Sequence, residues 1–110
     1  MSWSYVIIWE FYVRPGMEER FEQVYGPWGD WARLFHEGEG YIATELNRDL
    51  KNKKRYVTLD FWTSAEAYEG FRKKYLAEYK AMDEKCGELT EREVELGTFI
   101  RIGERSSGSI

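Results

Sequence analysis

Cysteine, histidine and proline are scarce in this chain of 110 residues, which contains one, one and two of them. The single thiol, Cys86, has no second cysteine with which to form an internal disulfide or a zinc knuckle, a composition that fits a reducing compartment. No metal site is predicted, because the sequence offers no His or Cys cluster at metal-ligand spacing.

Long apolar runs and an excess of basic residues are also missing. No stretch of about 18 apolar residues occurs, so we predict neither a membrane span nor a membrane partner. The first residues lack the basic leader and cleavage site of a signal peptide, and we therefore expect a cytoplasmic protein. The formal net charge is -4 and the only basic cluster is a turn at residues 51–55, which argues against a nucleic-acid partner.

Aromatic residues are, by contrast, abundant. They make up 17% of the sequence, a high share for a chain of this length, and such large side chains need to be buried somewhere. The length fits one domain. We predict a single domain over residues 1–103 and a flexible, Ser/Gly-rich tail over residues 104–110.

Four segments alternate apolar and polar residues, which predicts four strands. They are residues 5–14, 41–48, 55–62 and 93–102. In the first, every odd position from Tyr5 to Val13 is apolar, and most even positions are apolar as well. A short polar turn joins the second and third segments, as in a β-hairpin.

Two further segments show the spacing of an amphipathic helix. From Met17 onward apolar residues recur at steps of three or four, but Gly26-Pro27 interrupts the pattern, which predicts two helical pieces at residues 17–25 and 28–36. Thr63 and Glu66 form a capping box at the start of the second helical segment. Its apolar stripe consists of Tyr68, Phe71, Tyr75, Tyr79 and Met82.

The order strand, helix, strand, strand, helix, strand predicts a ferredoxin-like α+β fold, with a four-stranded antiparallel sheet and both helices on one face. The helices can cover only that face, yet the first strand is apolar on both. Soluble monomers rarely expose a large apolar patch. We therefore expect a homodimer in which two sheets pack face to face; in the alternative, the tail or the loops of a monomer cover the open face.

Several motifs together resemble one known family. The order of elements, "RPG" after the first strand, "GDWARLF" followed by "GYIATEL", and "YVTLDFWTSAEAYEGF" at residues 56–71 resemble the antibiotic biosynthesis monooxygenase (ABM) family of dimeric α+β barrel proteins, over about residues 4–102. This resemblance implies a dimer whose two sheets form a barrel with the helices outside. It also implies one small-molecule pocket per subunit, between sheet and helices.

The resemblance implies an activity too. Enzymes of this family oxidise polycyclic phenols or quinols with molecular oxygen, some without metal, flavin or haem, and the substrate anion then reacts with oxygen directly. Trp62 and Tyr68 match residues that line the pocket of quinone-forming members, but Thr58 stands where those members have an asparagine. Haem-degrading members use a first-strand asparagine and a second-helix histidine; this chain has Trp9 near the first position and no histidine in that helix, which argues against haem degradation.

Tyr68, Trp62 and His36 are the candidate catalytic residues. A tyrosine hydroxyl can hydrogen-bond a substrate oxygen or exchange its proton, and a histidine can accept the proton of a quinol near neutral pH. His36 also lies near a helix end, where histidine interacts favourably with the helix dipole. Trp62 and Tyr68 could alternatively be plain core residues.

The candidate substrate-binding residues are Trp28, Trp31, Thr58, Tyr75 and Tyr79. We expect the two tryptophans to continue the buried stripe beyond the proline and to form a cavity wall opposite Trp62 and Tyr68; alternatively they fill the space between helix and sheet or meet the partner subunit. Asp60 lies on the strand face of Thr58 and Trp62, where polar side chains favour a pocket over an apolar core. Asp60 could instead pair with an arginine near the sheet edge.

These residues lead to the expected function of a cofactor-independent monooxygenase that oxidises a planar phenol or quinol. The expected ligand is an aromatic small molecule, and no cofactor is predicted. The sequence shows no glycine-rich nucleotide loop, since "GEGY" is too short and follows no strand, but binding of a flavin stays open as an alternative. The alternative is a non-catalytic dimeric barrel that binds or sequesters a small hydrophobic metabolite.

Overall fold

A computed structural model of the chain describes residues 2–103. The predicted tail at residues 104–110 lies outside the described residues. The elements follow one another as β1 (Tyr5–Val13), α1 (Glu18–Tyr25), α2 (Asp30–Phe35), β2 (Tyr41–Arg48), β3 (Arg55–Trp62), α3 (Ala65–Lys74), α4 (Leu76–Cys86), one turn of 3-10 helix (Gly87–Leu89) and β4 (Thr90–Ile100). None of the helices between residues 2 and 103 is long and apolar enough to cross a membrane.

The four strands form one antiparallel sheet in the order β2-β3-β1-β4. This arrangement confirms the predicted α+β fold of ferredoxin-like topology. The last strand begins at Thr90, three residues earlier than residue 93 of the prediction, and it ends at Ile100 rather than at residue 102. Asp60 on β3 lies between Ile7 on β1 and Thr44 on β2.

The helices pack against one face of the sheet, as predicted. The odd-numbered residues of β1 and the even-numbered residues of β3 point to this face, since they are the ones that join the buried core. Tyr56 and Trp62 are its largest fully buried side chains. The opposite face of the same two strands carries Val57, Leu59 and Phe61, half-buried within one chain and outside that core.

The break between α1 and α2 arises from two glycines around Pro27. Gly26 ends α1 in an extended conformation, and Gly29 lies so close to α1 that a Cβ there would be 2.4 Å from the carbonyl oxygen of Gln23. Only a glycine fits at such an approach. The two helical pieces are confirmed, but the turn changes the helical phase, so that Trp28 does not continue the buried stripe of α1.

The second helical segment differs from its prediction in two details. Ser64, not Thr63, caps α3, because the Ser64 side chain accepts a hydrogen bond of 3.0 Å from the backbone N–H of Ala67. The segment is also divided, since Tyr75 leaves the helical conformation (φ -113°, ψ 31°) and separates α3 from α4. The backbone N–H of Tyr79 still bonds to the Tyr75 carbonyl, which keeps the two helices in close succession.

The cap of α3 provides a test of this local structure. We expect Ser64→Ala to lower the free energy of unfolding by about 1 kcal/mol, because an N-terminal amide of the helix loses its acceptor. Ser64→Asp preserves the acceptor and should be close to wild type. Urea unfolding at a fixed protein concentration measures both changes. A larger loss in Thr63→Ala than in Ser64→Ala would show that the cap has been assigned to the wrong residue.

Candidate functional site

A cavity of about 280 Å³ lies between the helix-facing side of the sheet and the helices. Its apolar wall is mainly aromatic and includes Trp9, Phe11, Trp31 and Phe35. Polar side chains from β2, β3 and α3 also reach it, which is the composition expected of a small-molecule pocket. The cavity is therefore the candidate active site.

Asp60 is the acidic group set deepest in the cavity wall, since only 7% of the residue is exposed. Its carboxylate accepts a hydrogen bond of 2.7 Å from Thr44 Oγ1. Burial raises the pKa of Asp60 to about 7, although the Thr44 hydrogen bond acts in the opposite direction. No arginine pairs with it among the described residues, so the sheet-edge ion pair considered from sequence is not formed.

A chain of hydroxyl groups leads to this carboxyl. Tyr41 Oη lies 2.7 Å from Thr44 Oγ1. When Asp60 is ionised, the single hydroxyl hydrogen of Thr44 is directed at the carboxylate, and the Tyr41 hydroxyl is then the donor to Thr44. Burial raises the pKa of Tyr41 to about 12, so this phenol remains protonated and able to donate at neutral pH. Both hydroxyls thus hold the Asp60 side chain in place.

The helices supply the facing polar groups. Arg72 on α3 lines the cavity, and its Nη1 donates a hydrogen bond of 3.0 Å to the Tyr68 hydroxyl. The guanidinium carbon lies 4.0 Å from the centre of the Tyr79 ring on α4, a cation–π contact. Burial also raises the pKa of Tyr79. The two tyrosines therefore hold the Arg72 side chain from two sides.

Four of the eight residues proposed from sequence line the cavity: Trp31, Thr58, Tyr68 and Tyr79. Their convergence follows from the register of β3 and from the helical spacing of α3 and α4. Trp31 belongs to the buried face of α2 and contacts the edge of the Tyr79 ring, with 5.0 Å between ring centres.

Trp28 and Trp62 lie elsewhere. Trp28 is 84% exposed in the turn before α2, which corrects the expectation that it forms a cavity wall with Trp31. Trp62 is fully buried behind Tyr68, with 5.3 Å between ring centres, and does not reach the cavity surface. Its Nε1 has no hydrogen-bond partner within the described part of the chain.

His36 and Tyr75 also lie outside the cavity. His36 is exposed at the end of α2, and its ring meets the edge of the Tyr41 ring at 4.8 Å between centres. Tyr75 stacks on Phe71 at 5.6 Å and borders a separate surface groove. Because neither side chain lines the cavity, neither can touch a ligand bound inside it.

Sequence reasoning missed Arg72 and did not choose Asp60. The signal for Arg72 was its position four residues after Tyr68 and seven before Tyr79, which places all three on one helical face. For Asp60 the signal was the alternation of β3, which had already grouped it with Thr58.

No group of three or more His, Cys, Asp or Glu side chains that could hold a metal ion occurs in residues 2–103.

Comparison with solved structures supports the fold. SnoaB from Streptomyces nogalater, described as a cofactor-independent oxygenase, is 20% identical with a TM-score of 0.66, over 96% of this chain and 97% of its own. PA3566 from Pseudomonas aeruginosa is 16% identical with a TM-score of 0.60, over 93% and 97% of the two chains. No curated protein sequence matches the chain.

The family model of antibiotic biosynthesis monooxygenase (ABM) matches residues 4–85, well over half of the chain. The matched region includes β1, β2, β3 and the helices that enclose the cavity. The chain therefore belongs to the antibiotic biosynthesis monooxygenase family.

Proposed function

We propose that this protein is a cofactor-independent monooxygenase that oxidises a planar phenol or quinol with molecular oxygen. The observation that carries the proposal is the position of Asp60, a carboxyl with a pKa near 7 in the wall of an aromatic cavity. A general base works best when its pKa lies near the working pH. Membership of the ABM family supports the same reaction class.

The reaction begins when the Asp60 carboxylate removes the phenolic proton of the substrate. The negative charge of the resulting anion is shared with a ring carbon. This carbon gives electrons to molecular oxygen and forms a carbon–oxygen bond with it. The peroxide takes back the proton held by Asp60 and becomes a hydroperoxide. This hydroperoxide loses its terminal OH together with the hydrogen of the same ring carbon as water, which leaves a quinone, so that one phenol and one molecule of oxygen give one quinone and one water. The protein supplies the base and the orientation of the ring within a mainly aromatic cavity.

Tyr68 is proposed to donate a hydrogen bond to the substrate oxygen, as expected from sequence. Thr58 lies next to Asp60 on the same strand face, while Trp31 and Tyr79 contact the ring system. The volume of about 280 Å³ is near the lower end of ligand pockets, roughly 300 to 1,000 Å³, and favours a compact ligand. His36 and Trp62 receive no catalytic role in this proposal, because neither side chain reaches the cavity.

The alternative function is binding of a small aromatic metabolite without turnover. Thr58 favours it, because a threonine hydroxyl is shorter than the asparagine amide that the family resemblance places at this position. Measured oxygen consumption separates the two functions. A binder would quench tryptophan fluorescence with the same compounds and consume no oxygen above the uncatalysed rate.

We further propose that two chains pack through their open sheet faces. The support is the apolar character of that face, where Val57, Leu59 and Phe61 lie beside Ile8. Packing of two such faces removes apolar area from water, which stabilises the dimer by about 25 cal/mol per Å² buried, before the loss of translational freedom.

Asp60→Asn tests the proposed base. We expect oxygen consumption with a panel of naphthols, naphthoquinols and anthrones to fall by about 100-fold, because the amide cannot accept the proton. The protein-free oxidation rate is subtracted from every measurement. A variant as active as the wild type would exclude Asp60 as the base, and a wild-type protein that consumes no oxygen with any compound would contradict the monooxygenase proposal.

The same substitution is expected to stabilise the fold at alkaline pH. In the unfolded chain Asp60 ionises near its ordinary pKa of 3.8, whereas the folded pKa is about 7. The unfolded state therefore loses the proton first, and this group lowers stability as pH rises from 3.8 to about 7. Thermal unfolding should show Asp60→Asn to be more stable than the wild type at pH 8, with a smaller difference at pH 4. This result also shows that lost activity is not lost folding.

Thr44→Val tests whether Asp60 sets the pH dependence of the rate. The hydrogen bond from Thr44 lowers the pKa of Asp60, so its removal should move the rise of the pH–rate profile to higher pH. The other titratable groups that line the cavity remain in place: Tyr25, Tyr68, Arg72, Tyr79, Asp83, Glu93 and Glu95. A profile that stays in place or moves to lower pH would contradict this assignment.

Leu59→Arg tests the proposed dimer. A guanidinium in the centre of the open face would have to lose its hydration on association, which its cross-strand neighbour Glu45 offsets only in part, so the variant should sediment as a monomer in analytical ultracentrifugation. Leu50→Arg is the matched control, because Leu50 is 95% exposed in the turn before β3 and should not affect assembly. A wild-type protein that sediments as a monomer, or a Leu59→Arg dimer, would exclude association through this face.

A further inference from the structure

Arg72 makes fewer polar contacts than a guanidinium in its surroundings needs. Its Nη1 bonds to the Tyr68 hydroxyl, and its carbon lies over the Tyr79 ring. Its Nε is buried and has no hydrogen-bond partner among residues 2–103, and no ion pair of Arg72 is found in the same region. The side chain is therefore held by neutral groups, with donor capacity left over beside the cavity.

Arg55 provides a comparison, because its guanidinium has acidic partners. That guanidinium is also partly buried, but it pairs with Glu10 at 2.6 Å and with Asp49 at 3.1 Å. A partly buried charge without a counter-ion lowers stability, because it loses hydration that nothing replaces. Arg72 keeps its charge at every relevant pH and has five N–H donors. An anion that enters the cavity would supply the missing acceptor.

We propose that Arg72 and Tyr68 together bind an anionic oxygen of the ligand, so that the cavity selects phenolates and hydroxyquinone anions over neutral aromatic molecules of the same shape. The inference rests on the proposed function for the reaction, but the preference of the cavity for anions can be measured without turnover. Tyr68 accepts from Arg72 and retains its own hydroxyl hydrogen as a second donor. Hydrogen bonds between charged partners are about twice as strong as those between neutral groups.

The remaining charges at the cavity are acidic and must be weighed against this preference. Asp83, Glu93 and Glu95 are exposed residues at its edge, where water and salt screen them. Burial raises the pKa of Asp60 to about 7, so this carboxyl is partly protonated at neutral pH and repels an anion less than a full charge would. If the carboxylates dominated the electrostatic potential of the cavity, anions would bind more weakly than neutral molecules. A comparison of a neutral and an anionic ligand distinguishes the two cases.

Isothermal titration calorimetry with two ligands of one ring system tests the preference. The ligands are para-naphthoquinone, which is neutral, and lawsone, its hydroxylated derivative, which is ionised at neutral pH. We expect the wild type to bind lawsone about tenfold more tightly, the factor that one charge-assisted hydrogen bond can supply. Arg72→Gln should lose this preference while its affinity for para-naphthoquinone changes little.

Two variants serve as controls. Lys73→Gln changes the net charge equally on the same helix, but Lys73 is exposed and should leave the preference intact. Arg72→Lys keeps the charge without the planar set of donors and should retain only part of the preference. If Arg72→Gln does not fold, the wild-type comparison and Arg72→Lys still decide the matter.

Equal affinity of the wild type for both ligands, tighter binding of the neutral quinone, or binding of neither would overturn the inference. So would an unchanged preference in folded Arg72→Gln. Failure of the anion-binding inference can be distinguished from failure of the proposed function. A preference for lawsone without oxygen consumption on any phenol supports anion binding and contradicts oxygenation, whereas oxygen consumption without the preference does the reverse.

Discussion

The register of the three strands β2, β3 and β1 is the constraint on which the candidate site depends. It places Asp60 between Thr44 and Ile7, on the face covered by helices. Because side chains alternate along a strand, a shift of one residue would turn Asp60 to the open face and bring Leu59 or Phe61 beneath the helices. Tyr56 and Trp62, the two largest buried side chains of β3, point to the same face as Asp60. The register that buries these two rings in the core therefore also places the carboxyl in the cavity wall.

The aromatic core forms much of the wall of the cavity above this strand. One cluster of rings forms around Phe21, where Tyr25 stacks at 4.3 Å between centres and Phe11 lies at 5.2 Å. A second forms around Trp62 and Phe35, which meet edge to face at 5.8 Å. Members of both clusters line the cavity. Rings are rigid and prefer such tilted or offset contacts, each stabilising by about 0.5 to 1.5 kcal/mol. Trp31 joins the two clusters, since its ring centre lies 6.1 Å from that of Tyr25 and 5.8 Å from that of Phe35, so that one continuous set of rings borders the cavity.

Periodicity was sufficient to predict the strands, the break at Pro27 and the shared face of Thr58, Asp60 and Trp62. It could not predict which of these side chains reaches the cavity, since that depends on the depth of each residue beneath the helices. Trp28 was misplaced for a related reason: the extended conformations of Gly26 and Gly29 change the phase of the helix, and no residue spacing encodes that angle. Arg72 was overlooked because the stripe is defined by apolar residues, and a charged residue on the same face as Tyr68 and Tyr79 does not count toward it.

Asp60 and Arg72 line the same cavity, yet each is hydrogen-bonded to a neutral hydroxyl and not to the other. A direct ion pair would satisfy both groups and would lower the pKa of the carboxyl, removing the property on which the proposed base depends. The folded state instead keeps a carboxyl that is hard to ionise and a guanidinium that has no ion pair within residues 2–103, both of which reduce stability. The proposed ligand would satisfy both groups in turn, since one oxygen would give its proton to Asp60 and then remain as the anion that Arg72 can hold.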